Sequence, residues 1–131
     1  MSGPSGEDIF QADERQWFFA YGILRDAPTL RRLLGAVPPG GAPARVHGYA
    51  RYTSAAGYYY LLPDPAAPPV PGVLWRVTPT ELRLLDAEED VDPADPSGPA
   101  GVYRRVCGEA HTAAGVVPCW LYVGGTIVTE S

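Results

Sequence analysis

The chain contains no lysine and no asparagine; all ten of its basic residues are arginine. A Schiff-base lysine, a phosphate-loop lysine and an N-glycosylation site are thereby excluded. Histidine and cysteine are scarce, two of each in 131 residues. His47 and His111 lie far apart in sequence, and no His-x-x-x-His, Cys-x-x-Cys or ligand-type carboxylate cluster accompanies them. No metal site is expected. Serine occurs only at positions 2, 5, 54, 97 and 131, never in Gly-x-Ser-x-Gly, which argues against a serine nucleophile. No apolar run approaches the ~20 residues of a membrane helix. The N-terminus carries no hydrophobic signal segment, so a reducing cytoplasm is the expected location. Charge is sparse, 19% of residues, and the net value of -5 argues against binding to nucleic acid or to anionic membranes.

What is present is a single domain's worth of chain. A chain this size buries roughly two-thirds of its unfolded surface and holds a core without disulfides or metals. Fifteen glycines and fifteen prolines divide it into short segments. Residues 1–14 read as a loose polar tail, and residues 15–131 as one domain. Trp17–Tyr21 is a near-continuous aromatic run, short enough for a strand buried on both faces. Asp26 fits a helix N-cap with Pro28 in the first turn; Leu30, Leu33 and Leu34 give an apolar face, and Gly35 a C-cap. Val37–Pro43 reads as a loop. Arg45–Thr53, Tyr58–Leu62 and Val70–Val77 read as strands, with Ser54–Gly57 a turn and Gly72 at a bend or close approach. The proline-rich stretch 63–69 cannot be regular structure.

Thr78-Pro79-Thr80-Glu81 predicts a capping box opening a helix that runs to about Glu89. Val91–Gly101 reads as a loop. Val102–Glu109 and Val116–Val123 predict a hairpin around Thr112–Gly115. Cys107 and Cys119 fall on that hairpin, and two reduced, packed thiols are expected rather than a cross-strand disulfide. The expected fold is α+β: a small curled or closed mixed β-barrel of five to six strands with two or more short helices.

Two features carry chemistry. Leu85-Asp86-Ala87-Glu88-Glu89-Asp90 places adjacent carboxylates at a helix end, before a long loop. At about 100° per residue, Glu88 and Glu89 flank the leucine face on opposite sides. Either can be partly desolvated, which would raise its pKa into the range useful for a general base; helical geometry leaves the choice open, and a solvated helix end is the plainer reading. Tyr21-Gly22-Ile23-Leu24 is a strand end breaking at a glycine, where successive N–H groups can converge on an anion. Tyr58-Tyr59-Tyr60, Trp75, Trp120 and Tyr122 read as core or barrel lining, since no basic stripe accompanies them.

In this order the motifs resemble the gamma-glutamylcyclotransferase-like superfamily. Its first strand ends Tyr-Gly-Ser-Leu/Asn, matched by Tyr21-Gly22-Ile23-Leu24. A Val-x-Gly strand follows at Val70-Pro71-Gly72. The helix ends Leu-Asp-x-x-Glu-Gly, matched by Leu85–Asp90, then come Tyr103-Arg104-Arg105 and the aromatic strand Trp120-Leu121-Tyr122-Val123. The match spans about residues 17 to 124. The resemblance implies that Glu89 is the catalytic acid/base. It also implies that Tyr21, Gly22, Ile23 and Leu24 hold the substrate's glutamyl end through backbone groups, and it makes Tyr103 and Arg105 candidate substrate contacts. The implied reaction needs no cofactor. The substrate's own α-amino group attacks its γ-glutamyl carbonyl, releasing an amine and 5-oxoproline. The implied partner is a small γ-glutamyl amine; a homodimer is allowed but not required.

Two departures stand out: Ile23 replaces the usual serine, and Asp90 the glycine after the catalytic position. They direct the expectation toward an altered rim and specialised metabolism. The alternatives are another proton transfer or cyclisation in the same pocket, or a non-catalytic small-molecule-binding domain.

Overall fold

The computed structural model describes residues 15–125; the expected N-terminal tail lies outside the described residues. Seven strands and two α-helices follow one another: β1 (Gln16–Ala20), α1 (Ala27–Leu34), β2 (Gly40–Val46), β3 (Tyr49–Thr53), β4 (Tyr59–Pro63), β5 (Val70–Val77), α2 (Pro79–Glu88), β6 (Tyr103–Thr112) and β7 (Gly115–Gly124). Five strands close into a barrel in the order β1-β5-β2-β6-β7, while β3 and β4 form a separate ribbon. Neighbours pair antiparallel except at the seam, where β1 meets β7 in parallel at Phe18 and Trp120. The barrel is therefore closed, mixed and five-stranded, as expected, and the ribbon brings the described residues to seven strands.

The extra strand comes from a break in what reads as one segment, Arg45–Thr53. Gly48 takes a positive φ of 86° and separates β2 from β3, so the chain leaves the barrel there. Beyond it, β3 pairs only with β4, Tyr49 opposite Pro63 through Thr53 opposite Tyr59. The expected loop Val37–Pro43 is also partly strand. Gly40 and Gly41, at φ 114° and 82°, form a bulge that lets β2 run against β5. A Cβ at Gly40 would stand 2.8 Å from the Leu74 carbonyl oxygen, so the pairing requires glycine.

Helix ends follow the sequence closely. Asp26 accepts from the Thr29 N–H and Gly35 ends α1 in the left-handed region. At α2 both halves of the capping box are made: Thr78 Oγ1 accepts from the Glu81 N–H, and Glu81 Oε1 from the Thr78 N–H. Alternation along β1 sorts the core. Phe19 and Tyr21 join a cluster drawn from strands, with Val46, Leu61, Leu74 and Leu121. Phe18 and Ala20 join a second cluster that takes in the helices through Leu30, Leu82 and Leu85. Cys119 is buried and Cys107 exposed, both free. They fall on opposite faces, because Cys107 opposes Trp120 and Cys119 opposes Gly108; of the two thiols expected to pack, one does.

Gly72 is where β5 crosses the end of β1. A Cβ there would lie 2.3 Å from the Ala20 carbonyl oxygen and 2.6 Å from the Phe19 ring. Neither can yield without moving the backbone that feeds Tyr21–Leu24. Gly72→Ala is expected to cost about 1–3 kcal/mol by overpacking, measurable as a lowered urea midpoint. A stability unchanged from wild type would show that the crossing has room to spare. Among the described residues, no helix is long and apolar enough to cross a membrane.

Candidate active site

The end of α2 fixes the carboxylates. The Val91 N–H bonds to the Asp86 carbonyl at 3.0 Å and the Asp90 N–H to the Ala87 carbonyl at 3.2 Å, the paired bonds of a Schellman ending. That motif wants a left-handed residue after the cap, and Asp90 supplies it at φ 52°. Aspartate tolerates this conformation better than most residues. The glycine-to-aspartate departure thus keeps the glycine-like backbone and adds a charge. Val91 is then buried against the core, which turns the chain and leaves Glu89 as the C-cap.

This geometry separates the two glutamates that helical spacing leaves equivalent. Glu88 is exposed, whereas Glu89 is half-buried. Burial, aided by the charges of Glu88 and Asp90, pushes the Glu89 carboxyl up from 4.5 to about 7. Three buried tyrosines, Tyr21, Tyr103 and Tyr122, sense its charge, and each phenol is raised mainly by its own burial. Glu89 is therefore within electrostatic range of the phenols of β6, β7 and the residue that follows β1.

Each phenol is anchored. The Tyr21 hydroxyl donates to the Tyr122 carbonyl at 2.5 Å and the Tyr103 hydroxyl to the Tyr59 carbonyl at 2.5 Å. The Tyr122 hydroxyl donates to Asp86 Oδ1 at 2.8 Å. That same oxygen accepts from Arg105 Nε, also at 2.8 Å. Arg105 additionally lies over Trp120, its guanidinium carbon 4.4 Å from the ring centre. Arg105, expected as a substrate contact, is thus engaged with Asp86 and Trp120, one turn of α2 before Glu89. Tyr103, also expected as a substrate contact, is buried and feels the charge of Glu89.

The segment after β1 is a single 3-10 turn, Ile23–Arg25, with no side chain capping its start. The first N–H groups of such a turn have no partner within it. Leu24 is buried and anchors the turn, while Ile23 is 68% exposed. The serine-to-isoleucine departure therefore alters the surface and leaves the main-chain donors in place. Gly22 lies under Tyr59, whose ring would be 3.7 Å from a Cβ at that position.

The sequence reading missed the ribbon's part in this. Tyr59 arrives from β4, and Arg51 from β3 brings Nη1 within 3.4 Å of the Tyr21 carbonyl oxygen. No linear motif marks either residue. Asp86 was within reach of the sequence, since it precedes Glu89 by three residues and shares its helix face. The two histidines, far apart in sequence, are neighbours in space: β2–β6 pairing brings the His47 and His111 rings to 4.4 Å, edge to face. No group of three or more potential metal ligands occurs among the described residues.

Comparison with known proteins agrees with this fold. A family model described as "Gamma-glutamyl cyclotransferase, AIG2-like" matches residues 18–130. None of the curated protein sequences matches the chain. Among solved structures, an AIG2-like protein from Mus musculus is 22% identical with a TM-score of 0.70, covering 89% of this chain and 82% of its own. A structure named gamma-glutamyl cyclotransferase is 21% identical with a TM-score of 0.66, covering 85% and 67%. A protein from Arabidopsis thaliana, solved in solution, is 22% identical with a TM-score of 0.68, covering 85% and 69%. At such identities the likeness establishes the shared fold. With its family model spanning the barrel from β1 through β7, the chain belongs to the gamma-glutamyl cyclotransferase, AIG2-like family.

Proposed function

We propose that the chain cleaves a γ-glutamyl amide by intramolecular cyclisation, releasing an amine and 5-oxoproline. The observation that carries this reading is the Glu89 carboxyl, half-buried at the end of α2, pushed up to about 7 and sensed by three buried tyrosines. A carboxyl with that pKa is about half ionised at neutral pH and can both take and return a proton, which is the optimum for general acid–base catalysis.

The reaction balances without a further reactant. The substrate's α-nitrogen forms a bond to its own γ-carbonyl carbon, and the bond from that carbon to the amine nitrogen breaks. The α-nitrogen loses two protons in passing from ammonium to lactam N–H; Glu89 takes them in turn and passes them to the departing nitrogen, which leaves as an ammonium. Holding the chain curled supplies most of the acceleration, since effective molarities of well-placed intramolecular attack are on the order of 10^5 M or more. Tyr21–Leu24 holds the glutamyl end through main-chain donors, and Tyr103 packs beside the reacting centre. The exposed Ile23 and the charge at Asp90 sit on the rim and favour an amine unlike that of a simple peptide, in keeping with specialised metabolism.

Incubating the protein with a panel of γ-glutamyl amines and following 5-oxoproline tests the reading. Release with at least one member is expected; no release from any, with binding retained, would favour the non-catalytic alternative. The pH profile gives a second check. Because Glu89 must be ionised to accept the proton, log(kcat/KM) is expected to rise with unit slope toward a break near pH 7. In Glu89→Gln that acid limb disappears. An acid limb that persists in the variant would assign it to another group.

A further inference from the structure

We propose that Arg51, carried by the β3–β4 ribbon outside the barrel, is a specificity residue that binds the substrate's α-carboxylate. This rests on the γ-glutamyl reading above and adds a residue to it. The substrate's glutamyl end is a zwitterion whose α-carboxylate must enter an acidic site. Glu89 and the neighbouring Glu88 and Asp90 are all carboxylates, and the whole chain carries a net charge of -5. A glutamyl carboxylate entering here meets like charge, so a nearby fixed cation is needed to offset it.

Arg51 has the required properties. Its Nη1 lies 3.4 Å from the Tyr21 carbonyl, at the residue preceding Gly22. Its guanidinium carbon lies 4.6 Å from the centre of the Tyr59 ring, and that ring is the nearest neighbour of the Gly22 α-carbon's open side. Arg51, Tyr59 and Gly22 therefore form one cluster. The side chain is exposed, and no ion-pair partner of Arg51 occurs among the described residues. The two arginines that do pair, Arg15 and Arg105, are committed to Glu81 and Asp86. One long bond to a carbonyl and one aromatic face leave most of the five guanidinium donors of Arg51 for a ligand. Arginine stays charged at every working pH and meets a carboxylate with two parallel N–H donors. The ribbon itself is held against the site by the Tyr103 hydroxyl on the Tyr59 carbonyl, so the cation is placed and not merely tethered.

The test compares each γ-glutamyl amine with its α-carboxamide counterpart, in wild type, Arg51→Gln and Arg51→Lys. A charge-assisted hydrogen bond corresponds to about 10- to 100-fold in discrimination. Wild type is expected to prefer the carboxylate by about that factor in kcat/KM, chiefly through KM. In Arg51→Gln the preference is expected to collapse, and Arg51→Lys to restore part of it. A purely structural role would weaken both substrates alike and leave their ratio unchanged, which overturns the proposal. NMR titration with 5-oxoproline and its amide supplies the readout if no substrate turns over. Carboxylate-selective binding that is lost in Arg51→Gln then upholds Arg51 while the cyclisation reading fails. Equal binding of acid and amide by wild type, or binding of neither, overturns the role of Arg51.

Discussion

Glu89→Gln is expected to lower kcat on a γ-glutamyl amine by about 10^2- to 10^4-fold while leaving the fold intact. The amide matches the carboxyl in size and retains hydrogen-bonding capacity, but it cannot take the ammonium proton. The position is the C-cap of α2, and its backbone bond to Leu85 at 3.0 Å does not depend on the side chain. Stability should move in the opposite direction to activity. The folded carboxyl titrates at about 7 against 4.5 for the free group, because burial disfavours its charge. The folded state therefore holds a proton more tightly than the unfolded one. The contribution of Glu89 is most favourable below pH 4.5 and is lost as pH rises through 7. With discounting for its residual solvent contact, that amounts to about 1–3 kcal/mol at pH 8. Glu89→Gln should then be more stable than wild type at pH 8 and similar to it near pH 4. Urea unfolding at the two pH values checks this independently of any substrate. A variant that loses activity without gaining stability at pH 8 would indicate a solvated carboxylate, and the desolvated base would have to be abandoned.

Asp86→Ala has the largest expected effect on stability. One carboxylate oxygen accepts from both Arg105 Nε and the Tyr122 hydroxyl, and the Asp86 and Arg105 side chains are only 11% and 13% exposed. Removing the acceptor leaves a guanidinium and a phenol in a poorly solvated place without their partner. Breaking a buried pair from one side costs about 3–5 kcal/mol, or about 10 °C or more in Tm for a domain of this size. Arg105→Met on the Asp86→Ala background should recover part of the loss, because the unpaired charge is then gone. Thermal unfolding of the two single variants and the double variant measures the coupling. Strictly additive losses would mean that the two side chains act separately. Because Asp86 lies one turn before Glu89, a smaller loss of turnover is expected to accompany the loss of stability.

Much of the local structure was legible in the chain. Both helix starts were written in Asp26 and Thr78 and both ends in small or turn-favouring residues, because capping is decided within four or five positions. Val70–Val77 and the β6–β7 hairpin followed from residue type and turn spacing. The break at Gly48 was not legible. A glycine inside an alternating run reads equally well as a bulge, and only the separate pairing of β3 with β4 shows that the chain leaves the barrel. The strand character of Gly40–Pro43 was hidden for a related reason: two glycines and a proline signal a loop, and their use against β5 depends on a strand thirty residues away.

The sequence by itself determined the chemistry available: no lysine, no metal-ligand cluster, and a tandem of carboxylates closing a capped helix beside a long loop. It also determined the short-range geometry, since hydrogen bonds across a few residues need no knowledge of the rest of the chain. Only the tertiary structure decided which of the two adjacent carboxylates is partly desolvated. Glu88 and Glu89 differ by one residue and 100° of helix, yet the fold leaves Glu88 exposed and Glu89 half-buried at the Schellman turn made with Asp90. Desolvation is a property of what surrounds a group, and the phenols that sense Glu89 come from residues 21, 103 and 122, brought together only by barrel closure.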